Sequence, residues 1–142
     1  MKAMTNGCIF CKIASGRLPS CKVYEDAHSL AFMDIAPIIR GHTLVVPKEH
    51  VESLTDAPAE MLEKLIVVAQ NIARAQLKAF KADGINIIQA NGRAAGQTVP
   101  HLHIHVIPRF DSDGHHWNWK PRPYAKTEEM EGMAERIKSA LE

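Results

Sequence analysis

Cysteine is scarce in this chain, and the three present are an odd number in 142 residues. The opening MKAMTNGCIFCKIASG has no apolar run and no small-residue cleavage site, so nothing marks the chain for export. A disulfide framework is therefore disfavoured, and the cytoplasm is the expected compartment. No stretch has the apolar length needed to cross a bilayer. Neither sign of charge dominates, with 17 Lys and Arg against 16 Asp and Glu, a net charge of +1. That balance excludes the broad basic footprint of a surface for DNA, RNA or membrane, while leaving room for one bound nucleotide. A basic extension of the kind that would accompany processing of RNA or DNA ends is also absent. There are no internal repeats and no low-complexity tracts. What is present is an ordinary globular composition, 46% apolar and 23% charged, in a length that suits one domain over 1–142.

Hydrophobic patterning organises the chain as strands before and after one long helix. A short helical start is expected at Cys8 to Ser15. KVYED and SLAFMDI read as strands around the polar break Ala27–His28, with Val23, Leu30, Phe32 and Ile35 facing a core. HTLVVPK is a third strand, ended by Pro47. The helix follows TDAPAEM, with Thr55 or Asp56 as cap, Pro58 in the first turn and Glu60 at the positive end. Met61, Leu65, Ala69, Ile72, Ala73, Leu77 and Phe80 recur at helical spacing, which predicts one buried face, and Asp83–Gly84 ends the helix. GINIIQA and HLHIHVIPR are two more strands, joined by the loop NGRAAGQT. A last helix runs from Thr127 to Leu141 behind an acidic opening of Glu128, Glu129 and Glu131. Short links between these elements indicate α+β architecture with an antiparallel sheet. Residues 111–126 form a long loop, and its Trp117, Trp119 and Tyr124 need a surface to lie on.

His101, His103 and His105 alternate with Leu102 and Ile104. In a strand, residues two apart point the same way, so the imidazoles share one face while Leu102, Ile104 and Val106 face the core. One metal held by all three is a poor fit, because the outer Cα atoms lie roughly 13 Å apart in an extended strand. A purely solvated face would not be expected to gather three uncommon side chains. The chemistry that suits such a row is nucleophilic. A neutral imidazole attacks an electrophile through one nitrogen when the other donates its hydrogen to a carbonyl. A second imidazole can then donate to a phosphoryl oxygen or assist the leaving group. In the preceding loop, Gly92 and Gly96 permit close approach of backbone N–H groups to phosphate, and Gln97 and Thr98 add neutral donors. A plain turn between strands would look the same.

Cys8 and Cys11 form C-x-x-C, open on its own between a redox pair, a metal clip and two buried thiols. The redox reading expects a βαβ context, which the N-terminus lacks. His115 and His116, paired in a polar loop, read as solvated.

GQTVPHLHIHVIPR closely resembles the signature of the histidine triad (HIT) family of nucleotide hydrolases and transferases. The likeness extends to CIFCKIASGRLPS, to AFMDIAPIIRGHTLVVPKEH and to the long helix, so it spans nearly all of the chain up to Arg109, and it is nearest to the Hint-like and bacterial Hit branches. It implies a five-stranded antiparallel sheet with a long helix through which two copies dimerise, joining their sheets. It implies that His103 attacks the α-phosphorus to form a nucleotidyl-histidine, which water resolves to a nucleoside monophosphate. His105 then contacts the phosphate, His42 is a fourth active-site histidine, and Asp34 grips the ribose hydroxyls. Ile9, Phe10, Ile13 and Phe32 match the apolar base pocket, and Gly96 and Thr98 positions near the α-phosphate and leaving group. Simple core packing is an equal rival for Phe10, Ile13 and Phe32, and turn capping beside Pro37 a weaker one for Asp34.

The chain departs from the family's pattern at Ala90, where an amide commonly helps to bind phosphate, and Asn91 is the candidate replacement. Many bacterial relatives hold a structural zinc with the C-x-x-C pair, the histidine of a P-K-x-H segment and the first triad histidine. The matching residues here are Cys8, Cys11, His50 and His101. The activity so implied is that of a purine nucleoside phosphoramidase. The alternatives are a dinucleoside polyphosphate hydrolase and a regulatory nucleotide-binding module with vestigial catalysis.

Overall fold

The computed structural model describes residues 7–141; residues 1–6, read above for an export signal, lie outside them. Five strands, β1 (Lys22–Glu25), β2 (Ser29–Met33), β3 (Thr43–Pro47), β4 (Gly84–Ile88) and β5 (Ile104–Arg109), form one sheet in the order β1-β2-β3-β5-β4. Every neighbouring pair is antiparallel. The helices are α1 (Ile9–Ala14), α2 (Ala59–Phe80) and α3 (Thr127–Ala140). The architecture is α+β, as the patterning predicts. Among the described residues no helix is long and apolar enough to cross a membrane.

Alternation along β2, β3 and β5 divides the core in two. Ala31, Val45, Ile104 and Val106 pack on one face against Leu65, Val68, Ala69 and Ile72 of α2. Leu30, Phe32, Leu44 and Val46 pack on the other against Phe10, Cys11 and Ile13 of α1. Fully buried Leu30 and Leu65 each contribute roughly 1.5–3 kcal/mol by leaving water. Because Ile104 and Val106 turn toward α2, the imidazoles that alternate with them turn toward α1.

Several sequence expectations are corrected. Val23 is exposed because β1 is an edge strand with no buried residue. Ile35 is 100% exposed. The second strand stops before it, where Asp34 Oδ1 accepts the Ala36 N–H at 2.9 Å and turns the chain. Thr55 and Asp56 do not cap α2; they lie in a separate 3-10 turn, Leu54–Asp56. Pro58 is the N-cap, and it holds the preceding Ala57 extended, so the helix can begin only after it. The helix ends at Phe80, with Lys81 in the left-handed conformation at φ 54°, before the predicted Asp83–Gly84 stop. Leu77 and Phe80 are half exposed rather than buried, as are Ile66 and Val67.

The C-terminal segment also differs. Trp117 lies against His115 and the Arg109 guanidinium and donates Nε1–H to Asn86 Oδ1 at 3.1 Å. Arg109 is itself held by Asp113, Asn86 and the His115 carbonyl. His115 is therefore packed rather than solvated, whereas His116 is exposed. Trp119 is 86% exposed, so it finds no surface on its own chain, and Tyr124 is only half covered. No residue of α3 is buried.

Candidate active site and metal centre

β5 begins only at Ile104, so His101 and His103 lie in the extended approach to it. The alternation nevertheless holds through the approach, since Leu102 is buried in the α2-side core and its N–H donates to the Val51 carbonyl at 2.7 Å. His103 Nδ1 lies 2.7 Å from the His101 carbonyl oxygen. Only a protonated nitrogen can make that contact, so the proton of the neutral ring sits on Nδ1 and Nε2 carries a bare lone pair. The ring lies 4.9 Å from that of His105 and edge-on to Phe10 at 5.1 Å.

His42 and His105, 63 residues apart in sequence, meet at 2.9 Å through Nε2 of the first and Nδ1 of the second. The Ile38 N–H donates to His42 Nδ1 at 3.2 Å, which puts the proton of neutral His42 on Nε2. His42 therefore donates to His105 Nδ1, and the proton of His105 is left on Nε2. Both rings favour the neutral form. Burial pushes His105 down to about 4, helped by neighbouring His103 and His42. Burial also lowers His42, against the pull of Asp34, whose Oδ2 lies 3.6 Å from its Nε2.

The other predicted contacts are arranged less uniformly. Phe10, Ile13 and Phe32 are buried in the α1-side core, Phe10 edge-to-face with Phe32 at 5.5 Å, while Ile9 is half exposed. Gly92 and Gly96 adopt φ 86° and 94°, the left-handed range that favours glycine. The Gly92 N–H is taken by Gln97 Oε1 and the Gly96 N–H by the Arg93 carbonyl. Gln97 Nε2 donates to the carbonyls of Glu52 and Val99, so this side chain staples the loop to the 51–53 segment. Asn91 Oδ1 accepts from the Leu54 N–H at 2.7 Å, and its Nδ2 donates to Gln89. Thr98 is exposed at the loop's end.

Cys8, Cys11, His50 and His101 converge in a second centre, each buried, their donor atoms all within 4.8 Å of one another. Cys8 caps α1, its Sγ accepting the Cys11 N–H at 3.4 Å, and this turn aims both sulfurs the same way. Cys8 Sγ lies 3.3 Å from His101 Nδ1, Cys11 Sγ 3.3 Å from His50 Nδ1, and the two Nδ1 atoms 3.2 Å apart. His101 donates Nε2–H to the Pro47 carbonyl at 2.9 Å, leaving its Nδ1 lone pair for the cluster. These four donors could hold one metal ion. Burial drives His101 down to about 4, which keeps it an uncharged donor.

Sequence reading passed over Gln76. It is buried on α2, at a position where the helical stripe calls for an apolar residue. A polar side chain interrupting that stripe was the available signal.

The open antiparallel sheet thus sets a carbonyl-held imidazole beside a coupled histidine pair. The HIT domain family's sequence profile matches residues 15–112, and the chain belongs to that family. It is 38% identical over 135 residues to adenosine 5'-monophosphoramidase hnt1 of Schizosaccharomyces pombe, spanning 94% of this chain and 98% of that one. A crystal structure of a HIT family member from Bacillus subtilis superimposes with a TM-score of 0.90 at 41% identity, over 96% of this chain and 99% of that chain. A zinc-bound histidine triad protein from Mycobacterium smegmatis gives a TM-score of 0.73 at 41% identity, over 95% and 98% of the two chains.

Proposed function

We propose that the chain is a nucleotide hydrolase, a purine nucleoside phosphoramidase of the adenosine 5'-monophosphoramidase kind, acting through a nucleotidyl-histidine intermediate. The observation that carries this reading is the 2.7 Å bond from His103 Nδ1 to the His101 carbonyl, which frees Nε2 to attack. In the first step His103 Nε2 bonds to the α-phosphorus as the P–N bond to the leaving group breaks, and the departing amine takes a proton from solvent, which the attacking water of the second step gives back. His105, donating through Nε2, steadies the charge on the phosphoryl oxygens, and His42 holds that donor tautomer. Water then attacks the same phosphorus, displaces His103 and releases the nucleoside monophosphate. Asp34 serves the ribose hydroxyls, and the apolar residues around Phe10 serve the base.

The His103→Ala variant is expected to lose at least about 10³-fold in turnover of adenosine 5'-phosphoramidate with an unchanged circular dichroism spectrum. Near-normal turnover would refute the nucleophile. Mass spectrometry of a rapidly quenched mixture should find the nucleotidyl adduct on residue 103. A preference for dinucleoside tetraphosphate would instead favour the polyphosphate hydrolase, and affinity without product the regulatory module.

The donor set at the second centre suits structural zinc. Bonds of about 2.3 Å to sulfur and about 2.0 Å to nitrogen place tetrahedral ligands roughly 3.3–3.8 Å apart, which agrees with the spacings found. Bound there, zinc supplies a cross-link between α1 and the approach to β5. The chain is further proposed to act as a homodimer. Ile66, Val67 and Leu77 on α2 and Met130, Met133 and Ile137 on α3 leave two apolar helix faces open on a single copy.

A further inference from the structure

We propose that Gln76, on the face of the sheet opposite the histidines, is a positioning residue that holds the His42–His105 pair in register. Its amide lies behind the pair. Nε2 donates to the Val106 carbonyl at 3.0 Å, on β5, and to the Gly41 carbonyl at 3.0 Å, and lies 3.2 Å from Thr43 Oγ1, on β3. Thr43 and Val106 are register partners across β3 and β5. Each directly follows one of the coupled histidines, His42 and His105. Alternation turns Thr43 and Val106 toward α2 and the two imidazoles toward α1, so one NH₂ group ties together the two chain segments that carry the pair.

Thr43 Oγ1 also donates to the Gly41 carbonyl at 2.8 Å, closing a small polar ring around the turn before β3. Three acceptors surround the amide nitrogen, which fixes which end of the side chain points at the strands. Gln76 Oε1, by contrast, is buried without a partner. An apolar side chain would spare that cost, so what the position gains is the NH₂ donor. The proton placement on His105 depends on a 2.9 Å contact between a ring on β5 and one on the residue just before β3. A slip between β3 and β5 would break that contact and release the donor tautomer.

This inference rests on the proposed hydrolytic role of His105 for its kinetic reading, but not for its structural one. Gln76→Met keeps the length and removes the donor, and Gln76→Leu removes it with a shorter apolar side chain. Both are measured as purified holoprotein, with folded fraction checked by circular dichroism, so either one can decide if the other does not fold. In each, kcat on adenosine 5'-phosphoramidate should fall about tenfold with KM within twofold, as expected for a misplaced catalytic group. In ¹⁵N-resolved NMR the His42 Nε2–H resonance bridging to His105 should disappear. Leu65→Ala, a purely apolar loss on the same helix, should lower thermal stability while leaving that resonance and kcat in place. A Gln76 variant that keeps both the bridging resonance and kcat overturns the proposal, as does one that loses kcat with the resonance intact. If the resonance is lost in a protein whose wild type gives no product, the positioning role stands and the hydrolase reading falls.

Discussion

His101 is engaged three ways: its Nδ1 faces the cysteine cluster, its Nε2 bonds to Pro47, and its carbonyl orients His103. The two centres therefore share a residue, and loss of the proposed zinc should be felt at the nucleophile. Cys8→Ser removes one of the proposed sulfur ligands while leaving a hydroxyl that can still cap α1. Elemental analysis should find close to one zinc per chain in the unmutated protein and much less in this variant, with a lowered melting temperature. An unmutated protein free of metal would end the zinc proposal. At this scale the sequence disclosed the residue types well. Alternation alone places the triad on one face, and the four Cys and His donors follow from the family likeness. The His42–His105 contact was not legible, because it joins residues 63 apart and depends on strand register. Gln76 showed only as a polar break in the α2 stripe, since its partners, the Gly41 and Val106 carbonyls and Thr43 Oγ1, lie far off in sequence.

Elements were legible where period was strong and blurred where single residues decide an end. Most of the α2 stripe and the alternation in β2 and β5 are read directly. The start of α2 was misplaced because Pro58 restricts Ala57, and the end of β2 because Asp34 folds back on Ala36. The turn before β3 depends on Gly41, at φ 100°, where an added Cβ would lie 2.7 Å from the Phe80 ring and 3.0 Å from Pro108. Gly41→Ala should therefore destabilise the fold by about 1–3 kcal/mol in urea titrations, from the left-handed backbone and the contact together. Removing the ring as well, in Gly41→Ala with Phe80→Ala, relieves only the contact. A neutral Gly41→Ala would show that the turn tolerates a side chain.

Across the whole molecule, buried imidazoles tie stability to pH. Unfolded histidine takes its proton near 6.5, whereas burial, with His103 and His42 nearby, holds His105 down to about 4. Between those values the unfolded chain binds more protons, so stability falls as pH drops through that window and is level above it. The burial-lowered His42 acts in the same direction. Urea midpoints measured at pH 7.5, 6 and 4.5 should fall in that order, and a flat series would contradict the burial argument. The exposed faces of α2 and α3 make a second molecular prediction. Light scattering should report a dimer, and Ile66→Glu with Val67→Glu should give a monomer; a monomeric parent would remove the homodimer proposal. The chain has just two tryptophans, Trp117 and Trp119, and both lie in the C-terminal segment. Its tryptophan emission is thus a built-in optical label for the tail, while the sheet carries no tryptophan and only one tyrosine, Tyr24, whose weaker emission is avoided by exciting at the red edge of indole absorption.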